Sequence, residues 1–321
     1  MESVRGFFYF IGCMMGMRFF KKIFLAVMMP VVTLLLAWPY NVGAATFIDA
    51  IGAEVNLDNN PVRIVPLAPS LTEILYYLGL GDRVVGVTTY SNYPPDAREK
   101  PGIGSYMNLN VESIISLSPD LAIGTKDGNS REDVELLKEA GIPLYVVNPR
   151  NVMEVIETIE EIGDVCGVTG KALKLTEGLT ARLKRVEALT ASSQRPVVFL
   201  QINLRPVMTV NKNTFHNDII RLAGGINMTA DESVTYPRLG IEEVIRRGPD
   251  IIIISSMERG GEFEEAKKEW MTWTSVPAVK NNRIYLFESD LLDRPSQRLI
   301  DGLEAMARLI HPEIEWDKRL K

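Results

Sequence analysis

The chain has 321 residues, enough for two domains with their own cores, and 46% of them are hydrophobic and 24% charged. This is the composition of a globular protein, and no low-complexity tract interrupts it. The formal net charge is −6, and the first 44 residues hold four basic and one acidic side chains, so the rest is more acidic still. Such an acidic chain argues against a nucleic-acid partner, which requires a basic face.

The N-terminus carries the pattern of a secretory signal peptide. Three basic residues between positions 18 and 22 precede an apolar stretch, 23–38, and small residues follow at 42–45. We therefore predict that residues 1–44 are a signal peptide, with Met17 as an alternative start, and that the protein is exported to the periplasm. An uncleaved membrane anchor and a lipid attachment are the alternatives.

Strands and helices alternate from residue 63 onward, which predicts parallel sheets covered by helices on both faces. The predicted strands are 63–68, 84–87, 120–125, 144–147, 196–200, 251–254 and 283–287. The predicted helices are 70–79, 132–140, 151–163, 214–223, 262–270 and 296–310. Ser70 and Glu73 have the spacing of a capping box, so we expect Ser70 to cap the first of these helices.

One long helix is predicted between the two halves. Residues 169–191 contain no proline and are rich in Leu, Lys, Ala and Arg. At 1.5 Å per residue such a helix spans roughly 35 Å. We expect it to act as a stiff connection between an N-terminal domain, 45–168, and a C-terminal domain, 192–321.

Two segments, 110–123 and 240–253, share one pattern. Each opens with a helix-capping candidate, places Glu112 or Glu242 at the second helical position, and stops at Pro-Asp before an apolar strand. A repeated helix–turn–strand unit predicts two similar lobes. The cleft between two lobes is where we expect a small molecule to bind.

The sequence contains none of the common catalytic motifs. It lacks a phosphate-binding glycine loop, a nucleophile elbow, a His-Glu-x-x-His pair and a Cys-x-x-Cys pair. The only two histidines, His216 and His311, stand at a helix start and a helix end, where structural roles account for them. We therefore predict a non-enzymatic protein with no catalytic residue, no metal site and no resident cofactor.

Several spaced motifs resemble one known family. They are Leu67-Ala-Pro-Ser-Leu-Thr-Glu73, Val85-Gly-Val-Thr-Thr-Tyr-Ser-Asn-Tyr-Pro-Pro95, the two glutamate motifs, Val198-Phe-Leu-Gln201, Trp273-Thr-Ser-Val-Pro-Ala-Val-Lys280 and Ser289-Asp-Leu-Leu-Asp-Arg294. The chain resembles the metal-chelate class of periplasmic substrate-binding proteins, which serve ABC importers, and among them the vitamin B12 binders most. The resemblance implies an α/β fold of two similar lobes, with mainly parallel sheets, joined by one long helix.

The resemblance also implies which residues contact the ligand. A corrinoid such as cobalamin is a wide ring fringed with amides, so it needs aromatic faces and a few polar groups. Tyr90 matches a ring-contacting tyrosine of the B12 binders, and Tyr106 and Tyr236 fall where those proteins carry tryptophans. The remaining expected contacts are Lys126, Asp290, Leu291, Leu292, Asp293 and Arg294.

The resemblance is compatible with other ligands as well. Leu291 and Leu292 replace two aromatic residues of the family pattern, and Thr125-Lys126 replaces a Trp-Arg pair, so less stacking surface remains. A haem or a ferric siderophore is the alternative ligand. A cluster of cations would suit an anionic siderophore, and the candidates for it are Lys126, Arg205, Arg238 and Arg294. An exported enzyme or sensor with the same lobes is a third interpretation.

Glu112 and Glu242 match the family's acidic residues that meet arginines on the membrane permease, one from each lobe. An acid in the first turn of a helix also offsets the helix dipole by about 0.3–1 kcal/mol, and both roles are compatible. The resemblance thus implies two kinds of partner, a small-molecule ligand and the permease subunits of an ABC importer. We expect the binding protein itself to be a monomer.

Overall fold

The computed structural model describes residues 45–255 and 261–319. The predicted signal peptide, 1–44, lies outside these residues. In the part of the chain that is described, none of the helices is both long and apolar enough to cross a membrane.

The described elements form an α/β protein. The strands are β1 (Ala45–Ile48), β2 (Glu54–Leu57), β3 (Ile64–Pro66), β4 (Gly104–Ser105), β5 (Asn108–Leu109), β6 (Leu121–Thr125), β7 (Leu144–Val147), β8 (Val197–Gln201), β9 (Ile226–Asn227), β10 (Ile251–Ile254) and β11 (Ile284–Leu286). The α-helices are α1 (Pro69–Tyr77), α2 (Val111–Ser116), α3 (Arg131–Glu139), α4 (Val152–Val165), α5 (Thr169–Thr190), α6 (Phe215–Leu222), α7 (Ile241–Arg247), α8 (Glu262–Met271), α9 (Pro277–Lys280), α10 (Ser289–Leu292), α11 (Leu299–Ile310) and α12 (Trp316–Arg319).

Each lobe is built on a parallel sheet. The N-terminal lobe has strand order β3-β6-β7, and the C-terminal lobe has order β11-β10-β8-β9. Every residue of β7 and β10 is buried, because helices cover both faces of each sheet. The predicted two-lobed α/β architecture is confirmed.

The connection between the lobes is the long helix α5. It runs without a break for 22 residues, which corresponds to roughly 33 Å at 1.5 Å per residue. Its buried side chains recur every three or four positions, as expected for a helix with one face against the core. One apolar cluster passes from Ile123 in the first sheet, along Leu179 and Leu183 of α5, to Val198 in the second sheet.

The repeated Pro-Asp motif has a structural role in both lobes. The Asp120 carboxylate accepts hydrogen bonds from the backbone N–H groups of Val62 and Arg63, at 2.9 Å each. The Asp250 carboxylate accepts the N–H of Val197 at 2.8 Å. Each aspartate therefore binds the neighbouring strand at its start, and this fixes the register of the central strand pair in its sheet.

Two local predictions were wrong. The first helix begins at Pro69 after Ala68, and its start has no side-chain capping bond, so the Ser70–Glu73 capping box does not form. Glu73 instead bonds residues of the other lobe, as described below. The predicted strand at 84–87 is reduced to single bridges at its two ends, Ile64 with Val84 and Val87 with Gly102.

Candidate functional site

A cleft of about 270 Å³ lies between the lobes. Several of its lining residues sit at the carboxyl ends of parallel strands, namely Thr125 on β6, Asn148 after β7 and Ile202 after β8. This is the usual place for a ligand in an open α/β sheet. The volume is just below the roughly 300–1,000 Å³ typical of small-molecule sites. A wide ligand therefore needs the rim of the cleft as well as its interior.

Tyr106 stands on the N-terminal wall, in the turn between β4 and β5. Gly104 starts this hairpin with φ +87°, and a Cβ there would lie 2.7 Å from the carbonyl oxygen of Asn108, so only glycine fits. The Asn129 side chain then fixes the turn, because its amide nitrogen donates to the carbonyl of Tyr106 at 2.8 Å and its oxygen accepts from the N–H of Thr125 at 2.8 Å.

Tyr236 faces the cleft from the C-terminal lobe and contacts the opposite wall. Its hydroxyl donates to Oδ2 of Asp127, 3.4 Å away in the other lobe. Burial, followed by the charge of Asp127, raises the pKa of Tyr236 to about 12, so the phenol stays protonated at neutral pH. The two tyrosines thus give the cleft one aromatic side chain from each lobe.

Asp127 also forms an ion pair within its own lobe. Its two carboxylate oxygens accept hydrogen bonds from the two terminal nitrogens of the Arg150 guanidinium, with N–O distances of 2.5 and 2.9 Å. This is the bidentate geometry that arginine favours with carboxylates. Both side chains keep about a third of their surface exposed, 33% for Arg150 and 39% for Asp127, and both line the cleft.

Asp293 accepts two hydrogen bonds at the base of the cleft. One comes from Nε2 of His216 at 3.1 Å, and the other from the hydroxyl of Ser255 at 3.0 Å. Ser255 and His216 each bind the Asp293 carboxylate and not each other. His216 is therefore not placed to act as a general base for Ser255.

Asp293 also affects the neighbouring aromatic residue. Burial, followed by the charge of Asp293, raises the pKa of Tyr106. Phe215 stacks on the His216 ring with 4.1 Å between centroids and completes this wall.

Beneath the cleft, four residues form the inter-lobe ion-pair cluster, Glu73 of α1 with Arg294, Ser296 and Arg298 of the C-terminal lobe. Glu73 has no exposed side-chain surface. Its carboxylate accepts from Arg294 at 2.9 Å, from Arg298 at 3.3 Å and from the Ser296 hydroxyl at 2.6 Å. Burial raises the pKa of Glu73, and the three donors act in the opposite direction.

The inter-lobe ion-pair cluster also holds the loop that carries Tyr90. Arg294 donates to the carbonyl of Tyr90 at 3.1 Å and to the side chain of Asn92 at 3.0 Å. The guanidinium of Arg298 lies 4.2 Å from the ring centroid of Tyr93, a cation–π contact. The C-terminal lobe therefore positions a loop of the N-terminal lobe beside the cleft.

Four of the residues predicted to bind the ligand line the cleft: Tyr106, Tyr236, Asp293 and Arg294. Tyr90 is 51% exposed and lies beside the cleft, where Arg294 of the lining holds its carbonyl.

The other predicted contacts lie away from the lining. Lys126 is exposed, between two lining residues. Asp290 is buried and pairs with Arg294 at 3.0 Å. Leu291 packs against the core, and Leu292 lies within it with 0% exposed surface. Leu291 and Leu292 therefore present no stacking surface to the cleft in this structure.

The basic cluster considered for siderophores is not assembled at the cleft. Arg205 is 77% exposed and pairs with Glu269 at 2.7 Å, and Arg238 is exposed as well. Of the four candidates only Arg294 lines the cleft, and its guanidinium is bound by Glu73 and Asp290.

Glu112 and Glu242 occupy equivalent places in the two lobes. Each lies in the first turn of its helix and is exposed, and among the described residues neither carboxylate has an ion-pair partner. Each also follows a cleft tyrosine by six positions, Tyr106 in one lobe and Tyr236 in the other. In each lobe, a tyrosine of the cleft wall thus lies shortly before the repeated unit, which carries the exposed acid.

Sequence reasoning missed Glu73, Asn129, Asp127 and Arg150 as residues that shape the cleft. A usable signal existed for the last two, since they follow β6 and β7, and the carboxyl ends of neighbouring parallel strands meet at one edge. Glu73 and Asn129 bond residues far along the chain, which no local pattern indicates.

Comparison with known proteins agrees with this geometry. Residues 64–291 match the family described as periplasmic binding protein. An uncharacterized ABC transporter substrate-binding lipoprotein, YvrC of Bacillus subtilis, is 35% identical over 84% of this chain and 86% of its own length. The crystal structure of the periplasmic vitamin B12 binding protein BtuF of Vibrio cholerae has 30% identity and a TM-score of 0.71, covering 79% of this chain and 98% of that one.

A second solved structure is similar to the same extent. The periplasmic heme-binding protein RhuT from Roseiflexus sp. RS-1, in its apo form, has 27% identity and a TM-score of 0.70 over 78% of this chain and 98% of that one. The sequence match covers most of the chain and agrees with the two lobes, the long helix and the cleft. This chain belongs to the periplasmic binding protein family.

Proposed function

We propose that this protein captures a corrinoid, cobalamin in the first place, in the inter-lobe cleft outside the cytoplasm and delivers it to the permease of an ABC importer. The observation that carries the choice of ligand is the charge state of the cleft. Among the residues that the structure describes, two arginines line it, Arg150 and Arg294, and both are already bound by carboxylates. Such a site suits a neutral ligand with an amide fringe better than an anion.

The aromatic residues support the same ligand. Tyr106 and Tyr236 offer ring faces from opposite lobes, and Tyr90 adds exposed aromatic surface beside the cleft. Stacking on aromatic rings contributes about 0.5–1.5 kcal/mol per pair beyond the area that is buried. Asp127 and Asp293 provide carboxylate oxygens that accept hydrogen bonds from amide N–H groups.

A haem is the second candidate ligand, and one observation favours it. Tyr106 and Tyr236 face the cleft, and a tyrosine can act as an axial ligand of haem iron. The heme-binding relative of similar fold adds to this candidate. Against it stands the occupation of Arg150 and Arg294, which leaves the propionates of a haem without a free guanidinium among the described lining residues.

We further propose that Glu112 and Glu242 dock the protein on its permease. Their exposure, their equivalent positions and the absence of an ion-pair partner among the described residues all suit a pair of contacts with basic residues. Complementary charges at such a surface set the docking orientation and the association rate more than the affinity. In this proposal the protein acts as a monomer that is exported by its N-terminal segment.

Calorimetry with cyanocobalamin tests the proposed ligand. The expected result is saturable binding with one molecule per chain. Haem measured under the same conditions should bind more weakly. No heat with cyanocobalamin, together with tight haem binding, would overturn the corrinoid assignment.

A further inference from the structure

The Asp127–Arg150 pair points to a selectivity mechanism in the cleft. Arg150 lies on the lining, where a free guanidinium would be a strong anchor for a ligand carboxylate. Asp127 instead occupies both terminal nitrogens of that guanidinium, at 2.5 and 2.9 Å. The protein therefore carries a cation at the binding site but keeps it bound by its own carboxylate.

We propose that Asp127 is a charge-selectivity residue, which withholds Arg150 from anionic chelates and presents carboxylate oxygens to neutral, amide-bearing ligands. This inference rests on the proposed function, because it concerns which ligands that same cleft accepts.

The position of Asp127 supports such a role. Tyr236 of the opposite lobe donates to Asp127 at 3.4 Å, so the carboxylate is held from both sides of the cleft. Asp127 is 39% exposed and follows the end of β6, so it does not belong to the buried core and a ligand can reach it. The pair is therefore placed to meet a ligand.

The physical consequence differs for anions and for amides. A carboxylate that approaches Arg150 meets a guanidinium with both terminal nitrogens engaged, and it also meets the charges of Asp127 and Asp293. The ligand carboxylate and Asp127 compete for one cation and repel each other, so the site rejects an anionic ligand. An amide N–H, by contrast, is a donor to the free lone pairs of the same aspartates.

Four variants and two probes test this mechanism. The variants are D127N, R150Q, the double variant D127N/R150Q and, as a matched control, E139Q, which removes one negative charge from an exposed site at the end of α3. The probes are cyanocobalamin and ferric protoporphyrin IX, which carries two propionates. Thermal unfolding of each variant checks that the fold is kept before affinities are compared.

The expected result is specific to the freed guanidinium. D127N should bind the porphyrin about ten-fold or more tightly than the wild type, because a ligand carboxylate regains a charge-assisted pair with Arg150. That gain should disappear in D127N/R150Q, and neither R150Q nor E139Q should show it. D127N should bind cyanocobalamin more weakly than the wild type does.

Two outcomes would overturn the role of Asp127. One is equal porphyrin affinity in the wild type and D127N, and the other is a gain that persists in the double variant and so does not need Arg150. Failure of the wild type to bind cyanocobalamin would refute the proposed ligand instead. The porphyrin comparison between D127N and the double variant would still decide the selectivity mechanism in that case.

Discussion

Replacing Glu73 with glutamine tests the inter-lobe ion-pair cluster most directly. Glutamine keeps the size of the side chain and one acceptor oxygen, but it removes the negative charge that Arg294 and Arg298 share. The Ser296 hydroxyl loses a charged acceptor at 2.6 Å as well. Arg294 retains Asp290 as a partner, whereas Arg298 retains a 3.6 Å contact with Glu288 and its cation–π contact with Tyr93.

The expected loss follows from these contacts. Hydrogen bonds to charged groups contribute about 1.5–3 kcal/mol and neutral ones about 0.5–1.5, so the Ser296 bond loses about 1 kcal/mol when its acceptor becomes neutral. Arg294 and Arg298 stay charged, and each loses its carboxylate partner at a similar cost of about 1 kcal/mol. The sum of about 3 kcal/mol is at the low end of the roughly 3–5 expected when a buried pair loses one partner. The raised pKa of Glu73 works against this loss, because burial disfavours the carboxylate charge that glutamine removes.

Urea unfolding of a chain that begins at Ala45 measures this loss, with E139Q as the matched control. A decrease of about 3 kcal/mol corresponds to a decrease in Tm of roughly 6–12 °C for a chain of this size. The control should unfold within about 0.5 kcal/mol of the wild type, because Glu139 is exposed. A change below about 1 kcal/mol in Glu73→Gln would show that the cluster contributes little to the joining of the lobes.

Three further predictions concern the cleft and its surroundings. The double variant Glu112→Ala/Glu242→Ala should bind ligand as the wild type does but support less uptake in cells, and unchanged uptake would refute the docking role. Tyr106→Ala should weaken cyanocobalamin binding by about 1 kcal/mol or more through lost stacking, measured by calorimetry; an unaltered affinity would remove this residue from the site. The Tyr236 phenol has a pKa of about 12 against an ordinary 10.0, so folding stability should decline as the pH rises through that interval. Asp127→Asn should lower this pKa in an absorbance titration, and no change would mean that Asp127 does not contribute to it.

The parts of the fold that were predicted correctly are those that local sequence determines. The strand Ile251–Ile254 was predicted with the same bounds, because four consecutive isoleucines between a Pro-Asp turn and a polar segment leave few alternatives. The long helix agrees to within one residue for a similar reason, since nothing in 169–191 stops a helix. Such features depend on neighbours in the chain.

The failures concern contacts between distant residues. The spacing of Ser70 and Glu73 is that of a capping box, yet Glu73 bonds Arg294, 221 positions away. The sequence does contain the capping-box spacing, but the capping contact does not form. A charged arginine of the other lobe competes better for the Glu73 carboxylate than a helix N–H does.

The cleft was predicted in part. The resemblance supplied Tyr106 and Tyr236, which line it, and also Leu292, which is buried in the core. Asp127 and Arg150 were missed because the family pattern directed attention to Lys126. These two residues meet only when β6 and β7 lie side by side.

The single covalent passage from one lobe to the other has a consequence for recombination. Since each sheet is built from one contiguous half of the sequence, a chimera joined inside α5 would inherit both halves whole. Such a hybrid must preserve the helical phase at the junction and the Glu73–Arg294 ion pair beneath the cleft. The two walls of the cleft come from different halves of the sequence, so such an exchange would replace one wall and keep the other.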